Sequence, residues 1–134
     1  MKIKISQDKN KKGLFRVAPH GDIDSDNYTD FRKQMNPVLK TTCKGLLLDL
    51  KNVGYISSSG LGVIFSMKKF MVENGGELVI CNLQPQIVRL FDIIHALPKE
   101  SLFGTTEEAE RHLAKTAGSR GPERSSSGSK ARSY

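Results

Sequence analysis

The chain has 134 residues, 37% of them hydrophobic and 26% charged, with a formal net charge of +7, a size usual for one domain with its own core. No run approaches the ~18 consecutive apolar residues of a membrane span, and Cys43 and Cys81 are too few for a disulfide framework and lack metal-ligand spacing. Nucleic acid is not indicated either: Lys115, Arg120, Arg124, Lys130 and Arg132 stand against Glu123 alone, so +4 of the +7 lies beyond Ala114, and no basic stripe interleaved with aromatics occurs elsewhere.

Ile3 and Ile5, then Leu14, Phe15 and Val17, predict a first hairpin turning at Asn10-Lys11-Lys12-Gly13. Met1-Lys2-Ile3-Lys4 leads directly into this alternation rather than into a signal-peptide core, so a cytoplasmic protein is expected. Gly21 to Asp24 reads as a loop, Ser25 or Asp26 as a helix cap, and Tyr28, Phe31, Met35 and Val38 as the apolar face of the first helix. Gly45-Leu46-Leu47-Leu48-Asp49-Leu50 is nearly continuous in its apolar character, the pattern of a strand covered on both faces.

A helix over about 58–73 follows, with Leu61, Ile64, Phe65, Lys68 and Val72 at helical spacing and Gly75-Gly76 as its stop. The next strand spans 77–82, and Cys81 within it has the setting of a thiol that simply packs; both cysteines read as structural. Gln84-Pro85 opens a third helix bearing Ile87, Val88, Phe91 and Ile94, and Pro98 ends that region. Leu102-Phe103 forms a short last strand, and Thr105 or Thr106, with Glu108 and Glu110 just inside, starts a terminal helix with Ala109, Leu113 and Ala117 facing inward. This alternation predicts an α/β fold: a mixed sheet of about four or five strands packed against about four helices, with right-handed crossovers, over residues 1–116. Residues 117–134 contain no aliphatic side chain larger than Ala and are expected to form a disordered, basic Ser/Gly-rich tail.

Ser57-Ser58-Ser59-Gly60-Leu61-Gly62 joins the buried strand signal to the helix. A helix start gathers unpaired N–H groups and the positive end of the dipole, so a phosphate on one of these serines is locally stabilised and the stretch has the makings of a charge switch. Ser is also a preferred N-cap and needs no further reason to begin a helix. Three serines exceed what a cap requires, and Gly60 and Gly62 leave the first turn open to close approach by another protein.

Catalysis has little support. His20, His95 and His112 are widely spaced, at a turn, a helix end and a solvated helix, and no Gly-x-Ser-x-Gly elbow accompanies Ser58. Asp22, Asp24, Asp26 and Asp30 lack the glycine and distal glutamate of a calcium loop and suit a helix entrance instead. No phosphate-cradling Gly-x-x-x-x-Gly-Lys-Ser/Thr run occurs. Neither cofactor nor metal is expected, and the chain reads as a non-enzyme.

Leu48-Asp49-Leu50 followed by Tyr55-Ile56-Ser57-Ser58-Ser59-Gly60-Leu61-Gly62-Val63-Ile64 resembles the signature of STAS domains (sulfate transporter and anti-sigma antagonist), in the form found in bacterial anti-sigma-factor antagonists. Gly21-Asp22-Ile23-Asp24, Gly75-Gly76-Glu77-Leu78-Val79-Ile80-Cys81 and Val88-Arg89-Leu90-Phe91 extend the likeness, which covers about residues 2–114. The resemblance implies a protein-binding switch that captures an anti-sigma factor, usually a serine kinase of the histidine-kinase ATPase type, and so frees a sigma factor. Phosphorylation of a serine at the helix start blocks capture, and a PP2C-type phosphatase restores it.

Ser58 matches the phosphorylated position, with Ser57 and Ser59 as alternatives. Asp24, Ser57, Ser58, Ser59, Gly60, Leu61, Gly62 and Phe65 match the partner-binding face, although Leu61 and Phe65 equally suit the core. Where the family's switch members carry Asp, this chain has Ser57, which removes a fixed negative charge beside the acceptor. The alternative within the family is a non-phosphorylated scaffold or transporter-accessory domain whose serines only cap. A small-ligand or nucleotide module has weaker grounds, resting on the anion-friendly helix start.

Overall fold

Alternating Lys and Ile over Lys2–Gln7 make β1, an edge strand antiparallel to β2 (Leu14–His20). These belong to a computed structural model describing residues 1–8, 13–41, 43–94 and 102–119, with the backbone alone for 91–94 and 115–119. The predicted turn at residues 10–12, His95, Pro98 and the tail from 120 onward, like the side chains of Phe91, Ile94 and Ala117, lie outside the described residues. Beyond Val17, which pairs with Leu48, β2 is paired with β1 alone. Pro19, with no N–H, therefore stands where a single ladder must be served.

The remaining strands, β3 (Gly45–Asp49), β4 (Glu77–Cys81) and β5 (Leu102–Phe103), join in parallel, and the sheet runs β1-β2-β3-β4-β5. Every residue of β3 is buried, as a strand covered on both faces requires. One face carries Val17, Leu46, Leu48, Leu78 and Ile80, packed against α1 (Tyr28–Lys40), α2 (Ser58–Glu73) and α3 (Pro85–Ile94). The other carries Leu14, Leu47, Val79 and Cys81 under Ala109 and Leu113 of α4 (Thr106–Ser119). Full burial of each large aliphatic side chain contributes ~1.5–3 kcal/mol, so β3 and β4 are the structural spine. Among the described residues, no helix is long and apolar enough to cross a membrane.

Several expectations change in detail. The buried stripe of α2 is Gly60, Leu61, Val63, Ile64, Met67 and Met71, whereas Val72 is 51% exposed and Lys68 half-buried. The helix is thus rotated toward its small first-turn glycine, which seats closely on the core. In α3, Ile87 is buried but Val88 is exposed, because the helix touches the core through Ile87 and Leu90 and carries Val88 on its flank.

Asn27 stands at the N-cap of α1 without a capping side-chain bond; Asp24, rather than Ser25 or Asp26, accepts from the Asp26 and Asn27 N–H groups. The α4 helix runs through Ser119, three residues past the expected boundary. Its start follows the sequence signal closely: Thr105 accepts from Glu108 N–H, and the Glu108 carboxylate accepts from Gly104 N–H. His112 is not solvated but half-buried, 2.6 Å from Glu77 Oε2 with its ring 5.0 Å from Phe103, because α4 lies over the start of β4.

The stop of α2 follows the local chemistry. Gly75, at φ +77°, turns the chain, its N–H donating to Val72 O and that of Gly76 to Met71 O. Both cysteines are free and buried, and burial pushes each thiol up to about 11. Both should therefore resist alkylation at neutral pH until the chain unfolds, measurable by thiol titration with and without denaturant. A raised thiol pKa makes stability complete below the ordinary value of 9.0 and lost as pH climbs from there through about 11. An alkaline fall in the denaturation midpoint over that window checks the sign.

Candidate functional site

Two loops from neighbouring strands are laced together at one end of the sheet. Ile23, after β2, and Ile56, after β3, form an isolated parallel bridge and are both almost fully buried. Ile23 N–H donates to Tyr55 O at 2.9 Å, Ser57 N–H to Ile23 O at 2.8 Å, and Gly21 N–H to Asn52 O at 2.9 Å. Apolar anchors and backbone bonds thus carry the Asp24 loop and the serine run into one face, although 33 residues separate Asp24 from Ser57 in sequence.

Within the run, the three hydroxyls have different settings. Ser57 is the N-cap of α2: it is 9% exposed, and its Oγ accepts from Gly60 N–H at 3.1 Å. Asp and Ser are comparable N-caps, so the residue standing at the family's Asp position keeps the capping role without its charge. Ser58, the first helical residue, is exposed, and Ser59 is half-buried. The first turn contains no acidic residue, leaving the dipole's positive end without a counter-charge of its own helix.

The remaining expected contact residues divide. Gly60 and Leu61 face inward, Gly60 against Ile23 and Ile56 and Leu61 in the main core; Phe65 is half-buried against that core. Gly62 is exposed with open space above it. Asp24 is half-buried, and its carboxylate closes the turn into α1, so its presence at the face is matched by a structural duty.

Tyr55, 54% exposed immediately before Ile56, belongs to this face and is not among the contact residues expected from sequence, though an aromatic two residues before the serine run was the available signal. Gln84 and Gln86 buttress the loop from the start of α3, donating to Lys51 O at 3.0 Å and Gly54 O at 2.9 Å. They had no local signal, since both contacts are long-range.

The arrangement offers an exposed hydroxyl on a rigid, anion-friendly ledge. Among the described residues, no imidazole, carboxylate or thiol is hydrogen-bonded to Ser57, Ser58 or Ser59, so nothing activates them as nucleophiles. Nor is any group of three or more His, Cys, Asp or Glu placed to hold a metal among those residues. The geometry leaves the Ser58 hydroxyl exposed at the helix start and the Ser57 hydroxyl engaged as its cap.

Comparison with known proteins places the chain in a family. The STAS domain family model matches residues 7–109. The anti-sigma F factor antagonist of Paenibacillus polymyxa is 34% identical over 83 residues, which make up 61% of this chain and 71% of that protein. The anti-sigma-B factor antagonist of Bacillus subtilis (strain 168) is 32% identical over 93 residues, 69% of this chain and 84% of that one. The solved structure of the anti-sigma factor antagonist SpoIIAA in its unphosphorylated form has a TM-score of 0.66 at 13% identity, covering 85% of this chain and 98% of that chain, a likeness of fold. With the family model spanning most of its length and relatives about a third identical over the aligned residues, the chain belongs to the STAS domain family, among the bacterial anti-sigma factor antagonists.

Proposed function

We propose that the protein captures an anti-sigma factor through the face around Ser58 and thereby frees a sigma factor in the cytoplasm. The partner is a serine kinase of the histidine-kinase ATPase type; its phosphorylation of Ser58 ends the capture, and a PP2C-type phosphatase resets the switch. The observation that carries this reading is the division of labour at the start of α2: Ser57 is buried and engaged as the cap, while the Ser58 hydroxyl is exposed and, among the described residues, uncommitted.

A phosphate there brings about −1.5 to −2 charges. In the free protein, the helix terminus stabilises that charge by ~0.3–1 kcal/mol. In an interface, the same charge must be desolvated, and without a new cationic partner it drives the proteins apart. Ser58, Asp24, Ser59 and Gly62, with the backbone of Gly60, form the contact face, and Leu61 and Phe65 support it from beneath.

The test is phosphorylation of the full chain by the purified cognate anti-sigma factor with ATP, with the site located by mass spectrometry. Label on Ser58, absent from Ser58→Ala, supports the reading. Label on Ser59 or Ser57 moves the acceptor while keeping the switch, and no label on wild-type protein overturns the kinase switch.

A further inference from the structure

Ser58, Gly62 and Ser66 recur every fourth residue along the exposed side of α2, and Phe70, the next in that series, is 38% exposed. This low ridge leads away from the serine face into a groove of about 210 Å³ between α1 and α2. Its floor is apolar: Met35, Val63 and Met67 are all buried, and Leu39 half-buried. Phe70 stands at its mouth, and the cations Arg32 and Lys40 line its α1 side; among the described residues, no acidic side chain lines it.

Neither cation is in an ion pair among the described residues; Arg32 stands 5.7 Å over the Tyr28 ring, which holds it at the rim. A flexible methionine floor with an aromatic lip suits an inserted apolar side chain, and unpaired rim cations favour carboxylates flanking it. The chain's own stretch beyond Ala114 is a poor occupant, since five cations against Glu123 alone would meet like charge. A second copy, carrying +7 overall, is disfavoured for the same reason.

We propose that the α1–α2 groove is a docking site for an amphipathic helix of a partner protein whose apolar face is flanked by Asp or Glu. The groove's own chemistry carries this assignment; that the same partner also covers Ser58 rests on the function proposed above and on the unbroken ridge between the two. An i, i+3/i+4 apolar stripe fills the methionine floor, while its acidic flanks meet Arg32 and Lys40.

The probes are two synthetic peptides of about 16 residues, long enough to form a helix on binding, with one Leu/Phe face and either Glu or Lys flanks. Backbone-amide NMR of the full chain should show the Glu-flanked peptide shifting signals of α1 and α2, with the Lys-flanked peptide roughly tenfold weaker or worse. Arg32→Glu with Lys40→Glu should invert that preference, and Lys40→Glu or Phe70→Ala alone should weaken the Glu-flanked peptide severalfold. Ser58→Asp should leave peptide binding unchanged, which separates the groove from the serine switch. Equal affinity for both peptides, shifts confined to another face, or no binding overturns the proposal. So does a concentration-dependent dimer lost in Phe70→Ala, which would assign the groove to a second copy.

Discussion

Ser58→Asp is expected to weaken capture of the anti-sigma factor by about 100-fold or more, whereas Ser58→Ala stays within about threefold of wild type, both measured by calorimetry. The reasoning turns on where the charge is desolvated. In the free chain, the new carboxylate sits at the first helical position of α2, exposed, with no acid in the same turn to repel it. The dipole then favours it by up to ~1 kcal/mol, so the thermal midpoint should hold or rise slightly. In the complex, an unpaired buried charge costs ~2–5 kcal/mol, and each ~1.4 kcal/mol is a factor of ten in affinity. Stability and binding must therefore separate. Equal binding by the two variants would mean that the face is not read electrostatically and that Ser58 merely opens the helix.

The same geometry makes Ser57 a less suitable acceptor. Its oxygen already accepts from Gly60 N–H and is shielded, so phosphorylating it would break the cap and bury the charge. Ser57→Asp, restoring the family's carboxylate, keeps the capping geometry, because Asp caps as well as Ser; a sharp rise in Ser58 phosphorylation in that variant would identify the missing acid as what limits it.

How much of this was legible in sequence depended on whether the determining interaction was local. The bounds of α2 could be read because both ends are set by nearby residues, Ser57 at the start and Gly75 at φ +77° at the end. The same holds for α4, whose Thr105 and Glu108 satisfy one another's neighbourhood. The mixed sheet followed from strands alternating with helices along the chain. By contrast, the face of α2 that turns inward was misjudged by about one position. Val72 is hydrophobic yet exposed, because the tight seat of Gly60 on Ile23 sets the rotation.

Long-range partners stayed hidden for the same reason. His112 meets Glu77 across 35 residues, and Asn82 Nδ2 reaches Asp49, 3.0 Å away, and Thr106, 2.9 Å away, from a backbone at φ +58°. Nothing within a helical or strand period announces such pairings. At the site, the motif singled out the serines and Asp24; the division of the serines into cap, exposed hydroxyl and half-buried neighbour is visible only in the folded helix start.

Gly60 and Gly62 give the sharpest contrast, because the same substitution two residues apart should have opposite signs. Both lie in the first turns of α2, where Gly→Ala alone favours the helix by up to ~1 kcal/mol. At Gly62, an added Cβ meets nothing within 4 Å, so Gly62→Ala should raise stability by nearly that amount. At Gly60, the Cβ would stand 2.6 Å from Ile23 Cγ2, 3.1 Å from Ile56 Cγ2 and 3.2 Å from Ile23 O. Ile23 and Ile56 are almost fully buried, and their bridge ties the Asp24 loop to the serine run, so relief requires backbone movement. Overpacking of this kind costs ~1–3 kcal/mol, enough to outweigh the helix gain, and Gly60→Val should exceed it. Urea denaturation measures both. Because any shift moves Ser57 and Ser58 together, Gly60→Ala should also weaken anti-sigma factor capture at temperatures where the chain is still folded. A Gly60→Ala protein as stable as Gly62→Ala would show that the two loops are not held by this close approach.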